Sequence, residues 1–456
     1  MKKNKMCFRF LCLILAAVLT SSCMGLRDTT PMLGTPQVRS FTIVNMTELI
    51  YELTATFSKK EIANIADGGF YVSSYKSMQN AMRIEGLKQG RSLQATIALE
   101  AEGQKVYVCA YINSGHYEIC SEIKTVTAGE TKHSLSAANC HMVSKAGSYD
   151  FPAVKGNGTE SVGVVKSVDV LWESFGTSIT PEVGDLIKTV SYRDDNVIFS
   201  TADTFREGNA VIAARDESGT ILWSWHIWLT DEPEEQVYYN NAGIMMDRNL
   251  GATSATPSDV GVRGLLYQWG RKDPFLGLLS NYGDDVKSTI MWPTSVESSS
   301  TTNISYSIMH PLTFIEDGNY SADDWLCSIG SNVDNTRWQS KKTIYDPCPA
   351  GWRVPDGGEN GVWVKASGLS DYVYLGYDHT NEGINFSGVF GNADLVWYPD
   401  AGYRMSSRHV ASGGGKYWTT TPNGFRAYTL CLASHGSLFN DDRARYQGNS
   451  VRCLQE

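Results

Sequence analysis

Cysteines are the residues of this chain best equipped for chemistry, and their spacing limits what that chemistry is. Of ten, Cys7, Cys12 and Cys23 fall near the start. Cys109, Cys120, Cys140, Cys327, Cys348, Cys431 and Cys453 remain. They are widely spread, with no Cys-x-x-Cys pair and no histidine at zinc-ligand spacing, so no structural metal cluster is expected. An odd number leaves at least one thiol outside any disulfide. Cys348 sits in Tyr345-Asp-Pro-Cys-Pro-Ala-Gly-Trp-Arg-Val-Pro355, a stretch too rich in Pro and Gly for regular structure. It pins a Cys, a Trp and an Arg in a tight turn. Cys453 follows Ser450-Val451-Arg452 near the last residue. Cys431, in Tyr428-Thr-Leu-Cys-Leu-Ala433, lies in an apolar strand pattern and reads as a buried core thiol, not a nucleophile.

The other chemical signatures are missing. There is no His-Glu-x-x-His, no Gly-x-Ser-x-Gly and no EF-hand loop. Gly413-Gly-Gly-Lys416 is followed by Tyr417 where a phosphate loop needs Ser or Thr. None of the eight histidines flanks a Cys or Ser in a recognisable catalytic pattern. Asp441-Asp442 with Arg443 and Arg445 reads as a solvated ion-pair patch. Arg353, Arg404 and Arg452 each sit beside an aromatic or apolar residue, and buried guanidinium groups must be paired. Structural bonds to loop carbonyls and to carboxylates such as Asp247 are expected of them. The reading is therefore of a non-enzyme with no catalytic residues, no metal and no cofactor, and with ligand-binding residues that the sequence does not name.

The elements that must carry such a protein begin with a leader. Met-Lys-Lys-Asn-Lys opens the chain, an apolar run follows from Cys7 to Leu19, and Thr20-Ser21-Ser22 leads into Cys23. This is the layout of a secretion signal over 1–22. The small residues before Cys23 resemble a bacterial lipobox, which makes Cys23 the lipidation site and 23–37 a lipidated tether. No later stretch is long and apolar enough to span a membrane. Net charge is −10, and the leader holds Lys2, Lys3, Lys5 and Arg9 without an acid, so the remainder is more acidic still. That balance argues against nucleic acid as a partner.

The remaining length suits two to four domains. Residues 38–129 alternate in period two: Tyr51, Leu53, Ala55 and Phe57 share one face, and Val106, Val108, Ala110 and Ile112 another. This predicts a β-sandwich. With Ser114-Gly115 as a two-residue turn, Cys109 and Cys120 fall directly opposite, about 5.5 Å apart at Cα, and either a disulfide or two thiols fits. Residues 130–236 form a second β-sandwich module. Its strand Thr220–Leu229 carries Ile221, Trp223, Trp225, Ile227 and Leu229 on one face, a core pattern in preference to a platform for sugar rings. His226 reads as a structural histidine, and Asp231–Glu235 as a solvated linker. Residues 237–456 are rich in Gly, Asn, Ser and aromatics and imply short strands with long, packed loops; Gly264–Gly270 suits one or two helical turns.

Several motifs in this last block fall in order: Met246-Asp-Arg-Asn-Leu-Gly-Ala252, Tyr267-Gln-Trp-Gly-Arg-Lys-Asp-Pro-Phe275, the Tyr345–Pro355 stretch, Gly402-Tyr-Arg404, Tyr417-Trp-Thr-Thr420 and Gly448-Asn-Ser-Val-Arg-Cys453. Together they resemble the Fibrobacter succinogenes major paralogous (FISUMP) domain, in the form attached to Bacteroides fimbrillin-like surface proteins. Residues 38–129 resemble a bacterial fibronectin type III-like module. The resemblance implies a mainly β chain: two β-sandwich (fibronectin/Ig-like) modules, then an α+β C-type-lectin-like domain. It also implies a disulfide between Cys348 and Cys453, which would close a loop of about 105 residues worth roughly 4–5 kcal/mol. The calcium-binding triplets of sugar-binding lectins are absent, and three glycines after Pro355 weaken the helix that many members carry there. The implied function is a cell-surface adhesion protein lipid-anchored in the outer membrane. Its expected partners are the membrane, other fimbrial subunits, and a host glycan or matrix protein. The alternative is a glycan-binding subunit of a polysaccharide-uptake system.

Overall fold

The computed structural model describes residues 38, 40–47, 50–57, 67–100, 104–113, 118–127, 133–280, 286–318, 323–326, 333–370, 372–374, 376–391, 394–406, 410–411 and 414–456. Cys23, Cys327 and the leader and tether therefore lie outside the described residues. The protein is mainly β, and among the described residues its α-helices are two short ones, Ile304–Met309 and Val362–Ser367. It divides into two compact units. One comprises residues up to Phe41 with Glu48–Glu130, the other Thr42–Thr47 with Thr131–Glu456. The blocks 130–236 and 237–456 thus belong to one body.

In the first unit Ser92–Ala98 lies between Ile50–Thr56 and Leu87–Gln89. In its other sheet Asp67–Ser73 lies between Met82–Glu85 and Lys105–Asn113. The period-two face Tyr51, Leu53, Ala55, Phe57 is buried, as are Val106, Val108, Ala110 and Ile112. Tyr111, on the opposite side of its strand, is buried too: the Arg83 guanidinium stacks over its ring at 4.5 Å and donates to its hydroxyl at 2.6 Å. The expected register of the following hairpin is corrected. Asn113 pairs with Glu118 and Tyr111 with Cys120. The connection is four residues long, not two, so Cys120 faces Tyr111 instead of Cys109. Cys109 is buried and Cys120 exposed.

The second unit begins with two facing sheets. One runs His133–Ser134, Ser148–Pro152, Asn196–Thr201, Ile187–Arg193. The other runs Cys140–Val143, Ile221–Leu229, Gly208–Arg215, Ser167–Ser174. Tyr149, Phe151, Phe199, Trp223, Trp225 and Ile227 fill the space between them. The tryptophans of Ile221–Leu229 are core residues. Trp228, on the reverse face, is equally buried, in a cluster with Met246, Leu250 and Leu265. That strand is therefore covered on both sides, which is why it reads as nearly continuous apolar sequence. Asp216–Gly219 makes the expected turn: the Asp216 carboxylate accepts from the Ser218 and Thr220 amides, each at 2.9 Å.

Beyond Glu235 the chain closes on itself. Glu235–Tyr238, Gly243–Met246, Leu454–Gln455 and Trp352–Arg353 form one small sheet, so the last strand pairs with the first and middle parts of the block. A larger sheet holds Tyr403–Arg404, Gly448–Ser450, Lys416–Asn423, Arg426–Cys431 and Leu438–Ala444. The Gly264–Gly270 stretch is a strand, not a helical turn: Leu266–Gln268 pairs with Gly448–Ser450. The three glycines after Pro355 do not prevent a helix. They precede it, with Gly361 as N-cap, and Gly368 ends it in the left-handed region at φ 70°.

Candidate functional site

Cys348 and Cys453 are joined by a disulfide, with their Cα atoms 6.0 Å apart, inside a cluster containing Trp338, Trp352, Trp418 and Val451. The Pro-rich turn is held from within. Asp346 accepts from the Cys348 and Val354 amides, both at 2.9 Å, and burial raises its carboxyl above the usual range. Lys342 Nζ donates to the carbonyls of Cys348 at 3.0 Å and Pro349 at 2.6 Å, and to that of Trp352. The Asp-Pro-Cys-Pro sequence is thus a site of architecture: one carboxylate and one ammonium satisfy polar backbone groups of an irregular turn between the Cys140–Pro349 bridge and the Trp352–Arg353 strand.

Buried cations boxed by aromatic rings frame the rest. Asp324 accepts from Arg337 Nη1 at 3.0 Å and Arg445 Nη1 at 3.3 Å, and Arg337 Nη2 also reaches it. Trp269 lies under both guanidinium groups, at 4.9 and 4.2 Å, and Trp325 under Arg337 at 4.8 Å. Arg445 is therefore fully buried, and the solvated patch expected of it is corrected; burial lowers its pKa to about 10. Arg404 donates to the Ser406 and Leu276 carbonyls above Phe275, Trp292 and Phe314. Arg452 donates to Asn249 Oδ1 and lies 3.7 Å from the Tyr398 ring. Arg353 pairs with Asp356 at 2.7 Å. The three motif arginines are structural, as expected, but Asp247 partners Arg248 instead.

Several further titratable groups are buried. His226 Nε2 bonds Asn209 Oδ1 at 2.9 Å, and burial lowers its pKa to about 3. His141 stacks on Phe151 and is lowered to about 3 by burial first and then by His226 and Lys342. Burial pushes the Cys431 thiol up, although Arg443 Nη2 lies 3.5 Å from its sulfur. Lys416, the cross-strand partner of Cys431, is lowered to about 7 by burial, then by Arg443. Burial also raises the Cys140 thiol. Among the described residues no group of three or more His, Cys, Asp or Glu is placed to hold a metal, and no helix is long and apolar enough to cross a membrane.

Among the described residues, a cleft and a tyrosine pair are accessible to a ligand. The first is a small cleft lined by Gly176, Asn209, Asp259, Arg263, Leu278 and Val286 among others. Its polar groups are already engaged: Asn209 donates to the Gly251 carbonyl at 2.9 Å, and Arg263 pairs with Glu382. The second is a tyrosine pair. Val373 is locked to Ser437 by two backbone bonds, Val373 N to Ser437 O at 2.9 Å and Ser437 N to Val373 O at 2.7 Å. Tyr372 and Tyr374 flank it, 56% and 69% exposed. The sequence reading named neither. Their signal was the alternation Tyr-Val-Tyr between Gly368 and Gly376, too short to separate from loop composition.

No protein-family model matches this chain, and no curated protein matches it. Among solved structures the chain is similar to one titled "Crystal structure of Br derivative BhCBM56", at 7% identity and a TM-score of 0.17. That match covers 21% of this chain and 99% of the other. A likeness of this size carries no argument about fold or ligand.

Proposed function

We propose that this chain is an exported adhesion protein, lipid-anchored through Cys23 and surface-exposed on the outer membrane. In this reading the fibronectin type III-like unit acts as a stalk, and the sandwich of residues 130–236 is the base of the body that carries the head. Residues 237–456 act as a FISUMP-type, C-type-lectin-like head that binds a host or matrix ligand, with fimbrial assembly as a further role. The observation that carries the reading is the Cys348–Cys453 bridge at the centre of the head's core. Such a bridge persists in an oxidising compartment, which agrees with the leader, and it fastens the chain end to a rigid, loop-rich body. Rigid bodies with ordered loops are suited to presenting binding surfaces.

The test is direct. Expressed in a Gram-negative host, the full chain should incorporate labelled palmitate, be cut by protease on intact cells, and in purified form bind immobilised fibronectin or collagen. Cys23→Ser should abolish the label. An unlabelled chain that binds no matrix protein would overturn the proposal. A second reading, a glycan-binding subunit of a polysaccharide-uptake system, is favoured by the exposure of Tyr372 and Tyr374.

A further inference from the structure

We infer that Tyr372 and Tyr374 form a stacking subsite for a neutral oligosaccharide, an inference that rests on the proposal that residues 237–456 carry the binding head. Side chains alternate along an extended segment, so residues i and i+2 emerge on one side, about 7 Å apart. The paired bonds at Val373 fix that extended geometry at the centre of the segment. Both rings therefore leave the same side of a backbone that is held in place, at a spacing suited to adjacent sugar rings.

The turn opposite supports one of them. Gly436, at φ 141°, passes beneath Tyr372 so closely that a Cβ there would lie 2.2 Å from the ring's Cζ. A glycine is required for that approach, and the ring is thereby seated on backbone while more than half of the residue stays in solvent. Other large exposed aromatics of the described residues lack this combination of a locked strand and a seated ring. Ordering a ring before the ligand arrives removes part of the entropy cost of binding.

The chemistry of the surroundings selects the ligand class. A pyranose offers a face of C–H groups and an edge of hydroxyls. An aromatic face with its negative π cloud meets the first, and short polar side chains meet the second. Beside the tyrosines across the bridge lie Ser434 and exposed His435, whose Oγ and Nδ1 are 2.8 Å apart. Further along the chain His379 and Thr380 are exposed. The nearby carboxylates are already committed: Asp378 accepts from the Thr380 and Asn381 amides, and Asp400 from Tyr377 and the Gly402 and Gly414 amides. Among the described residues of this patch the carboxylates are engaged, and the exposed groups beside the rings are a hydroxyl and an imidazole, which fit an uncharged glycan.

The experiment uses the full chain, titrated with maltohexaose, cellohexaose, xylohexaose and mannohexaose and followed by saturation-transfer NMR. Immobilised fibronectin and collagen are assayed with the same preparation. At least one oligosaccharide should bind. Tyr374→Ala should weaken it about tenfold or more, and Tyr374→Phe should stay within about twofold of wild type. Tyr374 is the cleaner site because Tyr372 also packs on Gly436; Tyr372→Ala should weaken binding to at least the same degree. Binding unaffected by Tyr374→Ala would overturn the subsite. Matrix binding without oligosaccharide binding would overturn it while leaving the adhesion proposal standing, and the loss of both would overturn the two together.

Discussion

Reduction of the Cys348–Cys453 bridge offers a quantitative test of how the second unit holds together. The bridge spans 105 residues. Cross-linking a loop of that length removes about 4–5 kcal/mol of chain entropy from the unfolded state. With an m-value of about 3 kcal/mol/M in urea, the unfolding midpoint should fall by roughly 1.5 M in reductant. All twelve tryptophans lie between Trp172 and Trp418, so tryptophan fluorescence reports the second unit alone. Both sulfurs sit in a closed cluster, so reductant should act on the native protein no faster than the unit opens. Loss of protection should appear first at Leu454–Gln455, the strand that pairs with both Gly243–Met246 and Trp352–Arg353. Two results would refute the reasoning: a midpoint indifferent to reductant, or alkylation of both cysteines in urea without any reductant.

Further outcomes follow from the buried charges. Asp324→Asn leaves Arg337 and Arg445 facing each other with no carboxylate, both fully buried. A loss of about 3–5 kcal/mol in thermal or urea unfolding is expected. Replacing all three together by Leu, Met and Met should recover most of it, and a triple variant no better than the single one would contradict the charge argument. His141 and His226 have folded pKa values near 3, below the ordinary 6.5. Their neutral forms are held by the fold, so their stabilising contribution is complete above pH 6.5 and is lost as pH falls toward 3. Each should contribute about 2 kcal/mol of loss between pH 6.5 and 5. A urea series across that window should show the slope, and His226→Gln should remove about half of it; a flat profile would exclude burial as the cause.

What the sequence disclosed depended on the range of the interaction. Period-two alternation is local, and it located the buried faces around Leu53 and Val108 and the core strand Ile221–Leu229. Register is less local. Moving the Asn113 hairpin from a two-residue to a four-residue connection exchanges Cys109 for Tyr111 opposite Cys120, because pairing follows loop length and not strand composition. The Leu266–Gln268 strand was hidden for a related reason. Its three residues are buried, so they carry no alternation, and their partner Gly448–Ser450 lies far along the chain.

The charged residues of the second unit make the same point in energetic terms. Arg445 follows an acidic pair and looks solvated, yet its carboxylate partner Asp324 is 121 residues away. Nothing adjacent to either residue signals that the two will meet over Trp269. A buried guanidinium is tolerable only when every element supplying its partners is in place, so each boxed arginine couples distant segments at once. Of the motif arginines, Arg404 and Arg452 lie against aromatic rings while Arg248 and Arg353 pair with Asp247 and Asp356, so motif arginines here mark the frame. The surface we propose to meet a ligand lies elsewhere, in the short Tyr372–Tyr374 segment, whose exposed residues make few demands on the core and therefore leave little trace in the sequence.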